Sequence, residues 1–209
     1  STHDAGFAMT ASYSTMLFTA LACLGGGDHQ VQASEAADAV LALDLADFGL
    51  AEMPNRLVFL GAGPLKAAAR ESALKVLELT GGRVATQWDS SLGFRHGPKS
   101  FVDKYTKVIL FKSAHSITCT YDSDLEAELR SQFGADIVTS IGGPNSQANV
   151  VLPLTDFDAW NVPVCVIPSQ MAGVVWADAL GLNADNPFEA DGNLTRVVSG
   201  VTLYTDRSW

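Results

Sequence analysis

Glu71, Lys75 and Glu78 are spaced i, i+4 and i+7, so at about 100° per residue they share one narrow stripe of a helix. Two carboxylates around an ammonium are the residue types that move a proton beside a developing negative oxygen: a base, and a cation to hold the charge. The same spacing also describes an ordinary Glu-Lys-Glu surface ladder, worth roughly 0.2–0.5 kcal/mol per pair. His96, within Arg95-His96-Gly97-Pro98, is the second candidate. Histidine is the side chain best tuned for proton transfer near neutral pH, although on a loop between Arg and Gly-Pro it reads equally as a surface or structural residue.

The elements that must position these residues can be read around them. An apolar run at 57–60 turns on Gly61 and Gly63 and enters a helix at Pro64, the first-turn position where a missing N–H costs nothing. Leu65, Ala69, Ala73, Leu74, Val76, Leu77 and Leu79 cover most of that helix. It is therefore largely buried, and its charged stripe faces a pocket, a partner or a remaining strip of solvent. Further apolar segments at 83–86, 108–111, 137–139 and 150–152 alternate with helical patterns at 125–133 and 169–180. Continuous apolar strands with helical crossovers predict a three-layer αβα sandwich around a five-stranded parallel sheet. Ligands of such domains sit beyond the carboxyl ends of the strands. The Gly61 loop and the 87–98 loop lie at such ends, so His96 should face the same crevice as the Glu71 helix.

Residues 1–53 read as a helical pair preceding an α/β domain at 54–209. The uncharged run 5–27 raises the question of a membrane span, but hydroxyls at Thr10, Ser12, Ser14, Thr15 and Thr19 interrupt it and no basic residue flanks it. A buried helix is expected, not a membrane span or a secretory signal. A second helical pattern runs over 32–48, with Ala36, Ala39, Val40, Leu43 and Ala46 on one face. A start at Ser1, almost directly into a helix, suggests a piece of something longer.

Composition narrows the class. At 209 residues, 47% hydrophobic and 17% charged, the chain can bury a sizeable core. Net charge is -10, yet ten of the thirteen Lys and Arg fall between Arg56 and Lys112. That distribution does not suit nucleic acid; it suits a small anion such as a phosphorylated metabolite. Cys23, Cys119 and Cys165 show neither disulfide nor zinc spacing, which points to reduced thiols in a cytoplasmic protein. The four histidines have no metal-binding spacing. Gly61-Ala62-Gly63-Pro64 is not a dinucleotide fingerprint, no P-loop or nucleophile elbow is present, and Gly142-Gly143-Pro144-Asn145 reads as a turn. The proton-transfer chemistry calls for no metal and no cofactor.

Segments 69–79 and 94–103, carrying Glu71 to Lys75 and Arg95-His96-Gly97-Pro98, resemble the second sugar isomerase (SIS) domain of double-SIS phosphosugar enzymes. They are similar to the isomerase half of glucosamine-6-phosphate synthase. The likeness is closer to the tagatose-6-phosphate ketose/aldose isomerases, also described as galactosamine-6-phosphate deaminases. Phe7-Ala8-Met9-Thr10 and 193–204 match that group's inter-domain helix and carboxyl-terminal tail.

The resemblance implies that Glu78 moves the proton between C1 and C2 of the sugar, that Lys75 is the lysine one turn earlier, and that Glu71 orients or contacts substrate. It implies that His96 assists ring opening from the partner subunit of a dimer or higher oligomer. It further places Ala8, Thr195 and Arg196 near the sugar. Arg196 replaces a lysine there, and arginine cannot supply a neutral amine, so it is assigned anion or oxyanion contacts only. The implied reaction converts galactosamine 6-phosphate to tagatose 6-phosphate and ammonia through an enediol(amine). Family members hold the phosphate on a Ser/Thr-rich strand-to-helix loop of a preceding SIS domain. No such loop is read here, so the chain by itself is expected to be inactive. Plain isomerisation, a regulatory SIS module that binds phosphosugars without turnover, and the glutamine-dependent synthase are the alternatives.

Overall fold

The computed structural model describes residues 10–25, 28–189, 202 and 204. Its sheet consists of β1 (Arg56–Gly61), β2 (Ala85–Asp89), β3 (Thr106–Phe111), β4 (Val138–Gly142) and β5 (Val150–Val151). All neighbours are parallel, in the order β2-β1-β3-β4-β5. The helices are α1 (Thr10–Leu24), α2 (Gln30–Leu41), α3 (Leu65–Leu79), α4 (Ser91–Phe94), α5 (Ser116–Phe133) and α6 (Asp158–Ala179).

Successive side chains of a strand point to opposite faces, and β1 divides its residues accordingly. Leu57 and Phe59 pack with Ala69, Ala73 and Val76 of α3 and with Val166 and Trp176 of α6. Val58 and Leu60 pack with Phe94 of α4 and with Leu125 and Leu129 of α5. This is the expected three-layer sandwich with a five-stranded parallel sheet. Strand order reverses direction between β1 and β3, which makes the crevice beyond their carboxyl ends the topological switch point.

Several elements differ from their expected bounds. β2 begins at Ala85 because Gly81 and Gly82, both at positive φ (57° and 76°), carry the turn out of α3. α5 begins at Ser116, nine residues before its apolar pattern at Leu125 becomes readable. α6 begins at Asp158, and Pro163 and Pro168 inside it disguised its first half. α2 stops at Leu41, and the chain then turns until Gly49, whose φ of +68° suits glycine.

The expectation for the first helix fails more fully. α1 has no buried residue; Tyr13, Leu17, Phe18 and Leu21 rest one face on the core, with the Phe18 ring edge-on to Trp160 at 5.6 Å. Met16 and Leu24 are exposed. A run that is apolar all round has no patterned outer face, so periodicity could not say how much of it is covered. Among the described residues α6 alone is long and apolar enough to cross a membrane, and 61% of its apolar window is buried in the protein. Its neighbours are α3, α2 and α1, as for a core helix.

Candidate active site

α3 leaves β1 through Gly61–Gly63. A Cβ on Gly61 would lie 2.5 Å from the Leu65 carbonyl oxygen, so the tight entry into the helix requires glycine there. Pro64 follows as the helix cap. Ala68, Ala69, Ser72, Ala73 and Val76 are buried, which fixes the rotation of the helix and turns the stripe along the edge of the interface with α6.

Lys75 is central to that stripe. Its side chain is 4% exposed, with Nζ 2.7 Å from Glu78 Oε2 and 3.4 Å from Glu71 Oε1. A cation removed from water to this degree needs its partners. The stripe is therefore a buried ammonium held between two carboxylates, not a solvated ladder.

The two carboxylates differ in setting. The Glu71 side chain is 15% exposed and Glu78 28%. Glu71 lines a cavity of about 490 Å³ with Tyr13 and Leu17 of α1, Arg70 and Leu74 of α3 and Val162 of α6. Burial pushes the Glu71 carboxyl above the usual range; Lys75 opposes that shift and the Glu78 charge adds to it. Burial, and then the nearby Glu71 charge, also push the Tyr13 phenol up. One turn before Glu71, Lys66 lies 3.1 Å from Asp89, and the charges of Lys66 and Arg70 each sit 5.5 Å from the centre of the Trp88 ring.

His96 is on a different face. β2 is an edge strand, and the chain returns past β1 to reach β3. Right-handed crossovers then require α4 and the 3₁₀ turn Pro98–Phe101 to cover the face opposite α3, and the division of β1 side chains shows that they do. Among the described residues no hydrogen bond, ion pair or cavity joins His96 to Glu71, Lys75 or Glu78. The expectation of a shared crevice within one chain is thereby corrected. His96 is exposed, and its neighbours Arg95 and Lys99 both bind Glu128 of α5. Ala8, Thr195 and Arg196 lie outside the described residues.

A further polar cluster went unread in the sequence. Lys112 to Thr120 leads from β3 into α5 and contains Ser113, Ser116, Thr118 and Thr120, which corrects the statement that no Ser/Thr-rich strand-to-helix loop is present. Three of its donors are bonded to carboxylates, while Ser113, Ala114, Ser116 and Cys119 also line a cavity of about 220 Å³. Ser113 N donates to Asp122 Oδ2 (3.0 Å), which also accepts from Ser91 through its other oxygen. Ser113 Oγ and Ala114 N donate to Asp158 at 2.5 and 2.8 Å. The density of hydroxyls between a strand and a helix was the available signal; the distant Asp158 that binds Ser113 and Ala114 was not.

Lys112 is itself buried, 2.8 Å from Glu126. Burial pushes Glu126 up, but its bonds from Lys112, Arg130 and Ser140 outweigh that and hold the carboxyl below the usual range. Among the described residues no three His, Cys, Asp or Glu side chains converge to hold a metal ion.

The five-stranded parallel sheet flanked by helices matches the structures of SIS-type phosphosugar isomerases, and the chain belongs to that family. Within the family it aligns with the galactosamine-6-phosphate deaminase AgaS of Escherichia coli, 40% identical over 218 residues, covering 97% of this chain and 56% of that protein. The AgaS deaminase of Shewanella sp. is 39% identical over 214 residues, covering 97% and 52%. The crystal structure of tagatose-6-phosphate ketose/aldose isomerase from Escherichia coli superposes with a TM-score of 0.78 at 38% identity, over 88% of this chain and 54% of that one. Glucosamine-6-phosphate deaminase of Thermotoga maritima, 21% identical with a TM-score of 0.63, shares the fold over 92% of this chain and 58% of its own. No protein-family model matches the chain. The chain spans just over half the length of the relatives it matches.

Proposed function

We propose that this chain is the acid/base half of a phosphosugar isomerase/deaminase that converts galactosamine 6-phosphate to tagatose 6-phosphate and ammonia. The observation that carries the reading is the buried Lys75 held between Glu71 and Glu78 on α3, in a chain 40% identical to a galactosamine-6-phosphate deaminase.

His96 assists opening of the sugar ring. Glu78 then takes the proton from C2 and delivers one to C1, while Lys75 stabilises the oxygen that becomes anionic. Glu71, its carboxyl raised by burial, orients the lysine and lines the substrate groove. Protonation at C1 turns the C2 enamine into an imine, water adds to that carbon, and ammonia departs, leaving the ketose. Arg196, Thr195 and Ala8 contact the sugar.

Residues 1–53 act as an inter-domain segment and 54–209 as the SIS domain. The phosphate is held by a preceding SIS domain; the carboxylate of Asp158, held against Ser113 Oγ and Ala114 N in this chain's own Ser/Thr-rich loop, disfavours an anion there and supports this assignment. His96 reaches the site of a partner subunit in a dimer or higher oligomer, in keeping with its exposure and with its place on the face opposite α3. Three free cysteines are in keeping with a cytoplasmic enzyme.

Plain ketose/aldose isomerisation is the second reading, favoured by the likeness to the Escherichia coli tagatose-6-phosphate isomerase structure. Ammonia release from galactosamine 6-phosphate and from glucosamine 6-phosphate by the full protein separates the two. The galactosamine substrate should release ammonia faster, and Glu78→Gln should slow that release about a hundredfold or more. Release untouched by Glu78→Gln would remove Glu78 as the base. Isomerisation of tagatose 6-phosphate without any ammonia release would favour the second reading.

A further inference from the structure

We infer that Glu128 is the positioning residue of the His96 loop: one carboxylate on α5 grips the cations on both sides of the histidine and fixes where the imidazole projects. The inference rests on His96 taking part in the reaction proposed above.

The two oxygens of Glu128 serve different cations. Oε2 accepts from Arg95 Nε at 2.9 Å, and Oε1 accepts from Lys99 Nζ. Only His96, Gly97 and Pro98 lie between the gripped residues. The next residue along α5, Leu129, forms part of the apolar seat in which Phe94 is fully buried. One stretch of α5 therefore supplies both the seat and the clamp.

The loop is also tied at its ends. Ser90 Oγ accepts from Gly93 N at 3.1 Å upstream. Downstream, Arg56 donates to the Phe101 carbonyl at 2.9 Å and lies 5.1 Å from the centre of the Phe101 ring. Between these ties are a helix of four residues and a single 3₁₀ turn, segments too short to hold their own shape. His96 contributes a backbone bond to Gly93 (3.3 Å).

The clamp side chains are 29%, 26% and 23% exposed, and ion pairs in that setting add little stability. What this arrangement does supply is geometry. Its effect should therefore be seen in turnover and scarcely in thermal stability. The Glu128 carboxyl is held below the usual range by Lys99 first and Arg95 after it, so the clamp stays charged at neutral pH.

The test is a double-mutant cycle in the full protein, following ammonia release from galactosamine 6-phosphate. His96→Asn alone should lower kcat about a hundredfold. Glu128→Gln alone should lower kcat about tenfold with KM and thermal midpoint nearly unchanged, and Glu128→Asp should recover part of that loss. With His96→Asn already present, Glu128→Gln should cost nothing more, because no imidazole remains to be misplaced. Should Glu128→Gln not fold, Lys99→Met, which cuts one arm of the clamp, enters the same cycle. An equal loss in both backgrounds, or none in either, overturns the positioning role and leaves His96 standing; full kcat in His96→Asn overturns both.

Discussion

Lys75 carries the largest energetic consequence of any single side chain in the candidate site. Replacing it with methionine keeps much of the volume but leaves two carboxylates on adjacent turns without their shared cation. Breaking a buried pair costs about 3–5 kcal/mol; Glu78 is 28% exposed, so the expected loss for Lys75→Met is about 2 kcal/mol after allowing for solvent. Urea unfolding of this chain measures it, and an unshifted midpoint would mean that the stripe is effectively solvated. Helical spacing was enough to place the three residues together. It could not say that Glu71 lines a cavity against α1, because Tyr13 and Val162, which shape that cavity, come from segments more than fifty residues away from it along the chain.

The elements were legible wherever the periodicity was strong. β1 and α3 stand within a residue of their expected bounds, since an apolar run, a glycine turn and a first-turn proline all agree there. The first halves of α5 and α6 were hidden, in one case by Ser, Thr and Asp and in the other by Pro163 and Pro168; neither has a side-chain cap, and the burial of Asp122 in α5 and of Trp160, Val162, Val164 and Val166 in α6 is tertiary context that propensity does not express.

The crossing of α3 and α6 gives a prediction at this scale. A Cβ on Gly173 would lie 2.7 Å from Leu79 Cδ1 and 3.1 Å from Leu79 Cβ. Gly173→Ala gains up to about 1 kcal/mol of helix propensity against an overpacking cost of about 1–3 kcal/mol. A net loss of about 1 kcal/mol is expected, seen as a lower denaturant midpoint at constant slope; a higher midpoint would show that Leu79 moves aside freely.

In the molecule as a whole, Ser113 ties the two helical layers together: it binds Asp122 from the α5 side and Asp158 from the α6 side. Burial pushes the Asp122 carboxyl above its usual range, the bonds from Ser91 and Ser113 and the charge of Lys112 oppose this, and Asp158 adds to it. The native state thus keeps a proton that the unfolded chain has already released. This contribution to stability is complete below the usual aspartate range near pH 4 and is lost as pH rises through the raised value. Asp122→Asn removes that slope. The stability difference between wild type and variant should therefore move in favour of asparagine from pH 4 to pH 8, and a constant difference in denaturant midpoint would refute it. The gathering of cations between Arg56 and Lys112, read as an attraction for a small anion, proves to be partly internal: Arg56, Lys66, Lys75, Arg95, Lys99 and Lys112 all pair with carboxylates of this chain. Charge counts reveal clustering but not pairing.

The two cations over Trp88 have an optical consequence. Trp160 and Trp176 are each 2% exposed, whereas Trp88 is 38% exposed, and an indole's emission responds to charges held against its ring. Arg70 both lies over that ring and lines the Glu71 cavity. A ligand that draws the guanidinium away therefore changes the fluorescence of Trp88, giving the protein a label-free reporter linked to its charged stripe through Arg70, the neighbour of Glu71.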